Sequence, residues 1–109
     1  MAQAHRVMRE NRIRHLPVLQ GGRLIGIVSA GDLHLIETLQ DVNPDEVVVE
    51  DAMTANPHSV APDTPLDEVV SVMAEHKYGC VVVMERQHVA GIFTTVDACR
   101  AFAEFLRSA

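Results

Sequence analysis

Apolar residues recur along this chain with two different periods, and the points where the period changes mark its elements. Leu66, Val69, Val70 and Met73 are spaced i, i+3, i+4, i+7, which lays one apolar stripe along a helix. Thr64 supplies an N-cap for that helix, Pro65 its first helical position, Asp67 the return half of a capping box, and Gly79 ends it. Cys80-Val-Val-Val-Met84 is then a continuous apolar run, as expected of a buried strand. A polar turn over Glu85 to His88 leads to a second strand, Val89 to Phe93. The last helix follows Thr94 and runs to about Arg107, with Cys99, Phe102, Ala103 and Leu106 on one face. Ahead of all this, Thr54-Ala-Asn-Pro57 is turn-rich, and His58 to Ala61 is a short extended piece ended by Pro62. The order is short strand, helix, strand, strand, helix.

The first half reads the same way. A helix from Ala2 to about Asn11 leads into a strand from Leu16 to Leu19. Gly21-Gly22 makes a tight hairpin turn, because a two-residue turn of this kind needs left-handed backbone at both positions. A strand from Leu24 to Val28 follows, then a helix from about Ala30 to Gln40. The initial short strand has no counterpart. At an offset of 65 residues, seven of the 31 positions from 2 to 32 are identical to those from 67 to 97. Val7-Met8 matches Val72-Met73, Glu10 matches Glu75, Val18 matches Val83, Gly26-Ile27 matches Gly91-Ile92, and Asp32 matches Asp97. The matches fall on apolar positions and one polar motif, which is the signature of a duplicated unit of about 55–60 residues.

Composition narrows the class. The 109 residues suit one module with a core of its own, and 48% hydrophobic with 22% charged residues is an ordinary globular balance. No apolar run approaches the length of a bilayer span, and the first residues lack the apolar core of a signal peptide. Cys80 and Cys99 are too few for a disulfide framework, and the expectation is two free, core-like thiols in a cytoplasmic protein. Residues 1–32 carry a net charge of +3, residues 33–56 carry −6, and residues 57–109 carry −3. The total of −6 argues against a nucleic-acid binder, which shows a basic face. Six His without metal-ligand spacing make a metal site improbable, and no phosphate-loop glycine pattern is present. Cys80 with His76 could be read as a nucleophile and base, but no orienting acid accompanies them.

The polar motif lies between a strand and a helix in both halves: Ser29-x-x-Asp32 and Thr94-x-x-Asp97. One reading is a capping box, in which the hydroxyl takes an N–H of the first turn and the carboxylate returns to the cap N–H. The other uses the same geometry to bind a nucleotide. A helix N-terminus favours phosphate, and a carboxylate placed there can accept ribose hydroxyls.

These residues resemble the CBS domain, the family named after cystathionine β-synthase. The resemblance rests on Gly26-Ile-Val-Ser29-Ala-Gly-Asp32 and Gly91-Ile-Phe-Thr94-Thr-Val-Asp97, on Leu16-Pro17-Val18, and on Met53-Thr54 with Pro57 soon after. It implies an α+β (mixed α/β) fold of two pseudo-twofold-related β-α-β-β-α units, their small sheets packed on helices. The first copy would occupy 1–40 without its initial strand, an acidic linker 41–49, and the second copy 50–109. The implied function is a non-catalytic regulatory module that binds AMP, ADP or ATP, with S-adenosylmethionine as a further candidate. In the family each site lies in a cleft between copies. Asp32, Ser29 and Ile27 would then face Ser59, Tyr78 and Gly79. Asp97, Thr94 and Ile92 would face Ile13, Arg14 and His15, and this second cleft is the better supplied with cations for a phosphate. The partners implied are the nucleotide, a second copy of the chain and a regulated protein, with no nucleic acid and no membrane. The alternative is a dimerisation module with no ligand. The dimer is expected to form through Leu33, Leu35, Ile36 and Leu39 and the face from Ala98 to Leu106.

Overall fold

Two hairpins of the same build anchor the chain. Strand β1 (His15–Gln20) pairs antiparallel with β2 (Arg23–Ser29), and β5 (Cys80–Glu85) pairs antiparallel with β6 (His88–Thr94). Each ladder has one register shift, between Val18 and Leu19 in the first and between Val83 and Met84 in the second. The two shifts occupy matching positions of the repeat. Both turns need left-handed backbone at two residues. Gly21 and Gly22 supply it at φ 59° and 78°, whereas Arg86 and Gln87 hold 51° and 69° against the side-chain clash that disfavours it.

The computed structural model describes residues 2–39, 43 and 48–108. The chain falls into two units, Met1–Pro57 and His58–Ala109. In the first, α1 (Ala2–Asn11) precedes the hairpin and α2 (Ala30–Thr38) follows it. A four-residue helix, α3 (Val49–Ala52), then leads into β3 (Thr54–Ala55). Strand β3 lies antiparallel on the outer edge of β2, with Ala55 opposite Gly26 and Thr54 opposite Ile27, giving the order β1-β2-β3. In the second unit, β4 (Ser59–Val60) pairs in parallel with β5, α4 (Leu66–His76) precedes the hairpin, and α5 (Thr95–Ser108) follows it. The order there is β4-β5-β6. Each sheet thus has three strands, but the third lies on opposite edges of the hairpin. The Met53-Thr54 lead-in, expected with the second copy, adds to the sheet of the first.

The helices mostly follow the apolar periodicity. α1 has the predicted span, and α2 stops at Thr38, since Leu39 is already extended at ψ 135°. Gln40 and most of the expected acidic linker lie outside the described residues. Two local expectations need correction. Thr64 does not cap α4. Its hydroxyl accepts from the Ala61 N–H at 3.0 Å, closing the preceding turn, and no side chain caps the helix. Gly79 does not end α4 either. Lys77 does, at φ 59° and ψ 39°, its N–H donating to the Met73 carbonyl.

Each unit has its own apolar core. In the first, Ala4, Met8, Val28 and Leu33 are buried, and Val49, Ala52 and Met53 pack against them from α3 and the segment after it. In the second, Val69, Met73 and Val81 are buried, with Val60 and Phe93 alongside. Leu33, expected on an exposed dimer face, is fully buried because it packs into the core with Ala4, Met8 and Val28. Cys99, expected in the core, is exposed on α5. Val96, Phe102, Phe105 and Leu106 of that helix are 56–65% exposed, and none of its residues is buried.

Candidate functional site

In both units the polar motif sits where the hairpin's second strand becomes a helix. Ser29 is the N-cap of α2, extended at φ −106° and ψ 161°. Its hydroxyl accepts from the Asp32 N–H at 3.0 Å, and its own N–H donates to Asp32 Oδ2 at 2.9 Å. The capping box therefore forms. Thr94 and Asp97 repeat it at the start of α5. Asp97 Oδ2 accepts from the Thr94 N–H at 2.9 Å and the Thr94 hydroxyl at 3.0 Å, and the Asp97 N–H donates to Thr94 Oγ1 at 3.2 Å. Exposed Arg100 reaches Asp97 Oδ1 at 3.5 Å.

Capping does not exhaust these carboxylates. In Asp32 the cap uses Oδ2, and no hydrogen bond among the described residues involves Oδ1. That oxygen can accept a ligand hydroxyl without giving up the cap. The helix N–H groups are more fully committed. The Ala30 N–H donates to the Arg14 carbonyl at 2.8 Å, and the Thr95 N–H to the Gly79 carbonyl at 3.0 Å. Asp32 and Asp97 use theirs within the box, so in each first turn the residue between, Gly31 or Val96, is left to meet an anion.

The same backbone bonds decide which predicted residues meet within a unit. In the first unit, the Arg14 carbonyl holds the start of α2, and His15 stands across the ladder from Ser29. Arg14, His15, Ser29 and Asp32 thus form one cluster. The His15 pKa lies below its ordinary 6.5, first through burial and then through the charge of Arg14, with Asp32 pulling the other way. Arg14 is therefore the lasting cation of this cluster. Arg14 and Ile13 also border a groove of about 530 Å³ between α1 and α2, where His5 of α1 pairs with Glu37 of α2. Ile27 is buried in β2.

In the second unit, Gly79 meets the start of α5, and Cys80 stands across from Thr94. Tyr78 lies just before, with Ile92 on β6 and Ser59 on β4. The Tyr78 ring stacks with His58 at 5.6 Å between centroids and with His76 at 5.1 Å. Sequence reasoning finds Tyr78, weighs His76 only beside Cys80, and misses His58. His58 precedes β4 and His76 ends α4, so no local spacing links them. Among the described residues no cluster of three or more His, Cys, Asp or Glu is placed to hold a metal ion, and no helix is long and apolar enough to cross a membrane.

Comparison with known proteins agrees with this build. The family profile described as CBS domain matches residues 1–35 and 49–104. Inosine-5'-monophosphate dehydrogenase of Korarchaeum cryptofilum is 34% identical over 96 residues, which are 87% of this chain and 19% of that enzyme. The uncharacterized protein YlbB of Bacillus subtilis is 33% identical over 92 residues, 83% of this chain and 62% of that protein. The chain thus spans only part of the relatives it matches. Among solved structures, the CBS domain pair of protein MJ0100, in complex with 5-methylthioadenosine and S-adenosyl-L-methionine, aligns with a TM-score of 0.81 at 27% identity. That alignment covers 94% of this chain and 81% of the other. CBSX2 in complex with AMP aligns at 0.75 and 27% identity, over 96% of this chain and 82% of the other. A profile that matches both halves, on a hairpin-and-helix unit that recurs in register after 65 residues, settles the family: the chain belongs to the CBS domain family.

Proposed function

We propose that this chain is a non-catalytic regulatory module that binds an adenine nucleotide of the AMP, ADP or ATP class. The observation that carries the reading is the cluster of Arg14, His15, Ser29 and Asp32. It joins a lasting cation, a carboxylate oxygen left over from capping and the start of a helix within one unit. Ribose hydroxyls donate to Asp32 Oδ1, and the phosphate is drawn to the Arg14 guanidinium and the Gly31 N–H. Thr94 and Asp97, with Tyr78, Gly79, Ser59 and Ile92 of the same unit, form a second candidate of the same kind but lack an equivalent of Arg14. Exposed Ile13 supplies apolar contact to the first. Two structural neighbours support the ligand class, since one is in complex with AMP and the other with S-adenosyl-L-methionine and 5-methylthioadenosine.

Calorimetry with AMP, ADP, ATP and S-adenosylmethionine tests this directly. The expected result is saturable binding by the wild-type chain that Asp32→Asn and Arg14→Ala each weaken by about tenfold or more, the loss of one charge-assisted bond. A larger effect of Asp97→Asn than of Asp32→Asn moves the primary site to the second unit. No binding of any of the four ligands overturns the nucleotide reading. The remaining role is then association of copies through the exposed Leu35 and Leu39 of the first unit, and light scattering at micromolar concentrations measures it.

A further inference from the structure

At the 65-residue offset, Arg14 and His15 stand where the second unit has Gly79 and Cys80. The backbone around them is built alike. The Arg14 carbonyl accepts from the Ala30 N–H at the start of α2, as the Gly79 carbonyl accepts from the Thr95 N–H at the start of α5. His15 faces Ser29 across its ladder, as Cys80 faces Thr94. The first unit therefore adds a guanidinium and an imidazole to a scaffold that the second builds without either.

That scaffold does not use the imidazole. The capping box closes between Ser29 and Asp32, and no hydrogen bond among the described residues involves the His15 ring. Two charges act on it, Arg14 beside it and Asp32 from α2, while β2 presents the uncharged Ser29. Partly buried and next to a guanidinium, the ring is neutral at pH 7 in the free chain, its pKa lying below 6.5. A bound phosphate changes this balance. It brings up to two negative charges to the start of α2, offsets the repulsion from Arg14 and offers the ring an acceptor. All three favour the imidazolium.

On the nucleotide reading of this cluster, we infer that His15 is the side chain that selects for phosphate. It takes up a proton from solvent as a phosphate-bearing adenine ligand binds, and donates a hydrogen bond to the phosphate. Affinity for such ligands rises as the pH falls towards 6, and affinity for a neutral adenine ligand without phosphate does not. The choice between AMP and 5-methylthioadenosine thus depends on pH. Arg14 gives no such dependence, because a guanidinium stays charged throughout this range.

Proton NMR of the 109-residue chain tests this by following the His15 ring over roughly pH 5 to 8, free and saturated with AMP or with 5-methylthioadenosine. The expected result is a titration midpoint below 6.5 in the free chain, raised by AMP and left in place by 5-methylthioadenosine. Calorimetry with His15→Gln is the second readout. The AMP phosphate itself titrates at about 6, so the difference between the two chains isolates His15. The variant is expected to bind AMP about tenfold more weakly than the wild type at pH 6 and within about twofold at pH 8. AMP binding that leaves the His15 midpoint unmoved overturns the inference but not the nucleotide reading. So does a loss in His15→Gln that is equal at both pH values. A midpoint raised equally by 5-methylthioadenosine overturns it too, because the phosphate is then not the cause. Failure of the wild-type chain to bind either ligand overturns both.

Discussion

His15 faces Ser29 across β1 and β2 with its imidazole pushed towards the neutral form, and that has a consequence for stability. Between its lowered pKa and 6.5, the unfolded chain binds more protons than the folded one. Stability therefore rises with pH across that window and is lost as the pH falls below 6.5. Urea titrations on either side of 6.5 are expected to show this loss, and His15→Gln to flatten it. A wild type that gains stability relative to the variant on acidification reverses the sign and the argument. Asp32 separates two roles that share one side chain. Asp32→Asn keeps an acceptor for the Ser29 N–H and is expected to unfold near the wild-type urea midpoint. Ser29→Ala removes the cap and costs about 1 kcal/mol. Lys77, at φ 59°, holds a conformation that glycine adopts at no steric cost. Lys77→Gly is expected to raise stability by about 0.5–1 kcal/mol, read as an upward shift of the same midpoint.

Among elements, those built from consecutive residues are the ones legible in the chain. Both hairpins follow from apolar runs flanking two polar or glycine residues, and both capping boxes from Ser or Thr three residues before Asp. What escapes has a physical reason in each case. The Thr64 hydroxyl has two N–H groups in reach, one in the helix ahead and one in the turn behind, and spacing alone does not rank them. Two-residue β3 has no alternation to detect, and its pairing with β2 spans about 28 residues. The stack of His58, Tyr78 and His76 joins the end of α4 to the residue before β4, two segments far apart in sequence. The candidate site is legible as a list of residues, whereas their grouping depends on backbone bonds such as Ala30 N–H to the Arg14 carbonyl. The second hairpin's turn is the weaker of the pair, because two bulky residues hold left-handed backbone. Replacing Arg86-Gln87 by Asn-Gly is expected to stabilise the chain by about 1 kcal/mol, measured by thermal unfolding.

At the scale of the whole molecule, the first unit has the larger core, because α3 and Met53 complete it. Leu33→Ala leaves a hole in a fully buried site and is expected to cost about 2–5 kcal/mol in urea unfolding. Phe102→Ala, at a position 61% exposed, is expected to stay within about 0.5 kcal/mol. The matched register shifts at Val18/Leu19 and Val83/Met84 carry a further consequence, for how such a chain reaches its native state. Strands with the same irregularity in the same place are interchangeable partners, so β1 could zip onto β6 and β5 onto β2. Duplicated chains fail in this way, by exchange between copies. What protects this one is time. A tight two-residue turn lets a hairpin close in about 1–10 μs. Pairing across the copies must first close a loop of several dozen residues, at greater entropic cost. The glycine pair at 21 and 22 commits the first hairpin to itself early, and once β1 and β2 are zipped neither strand is available to its double.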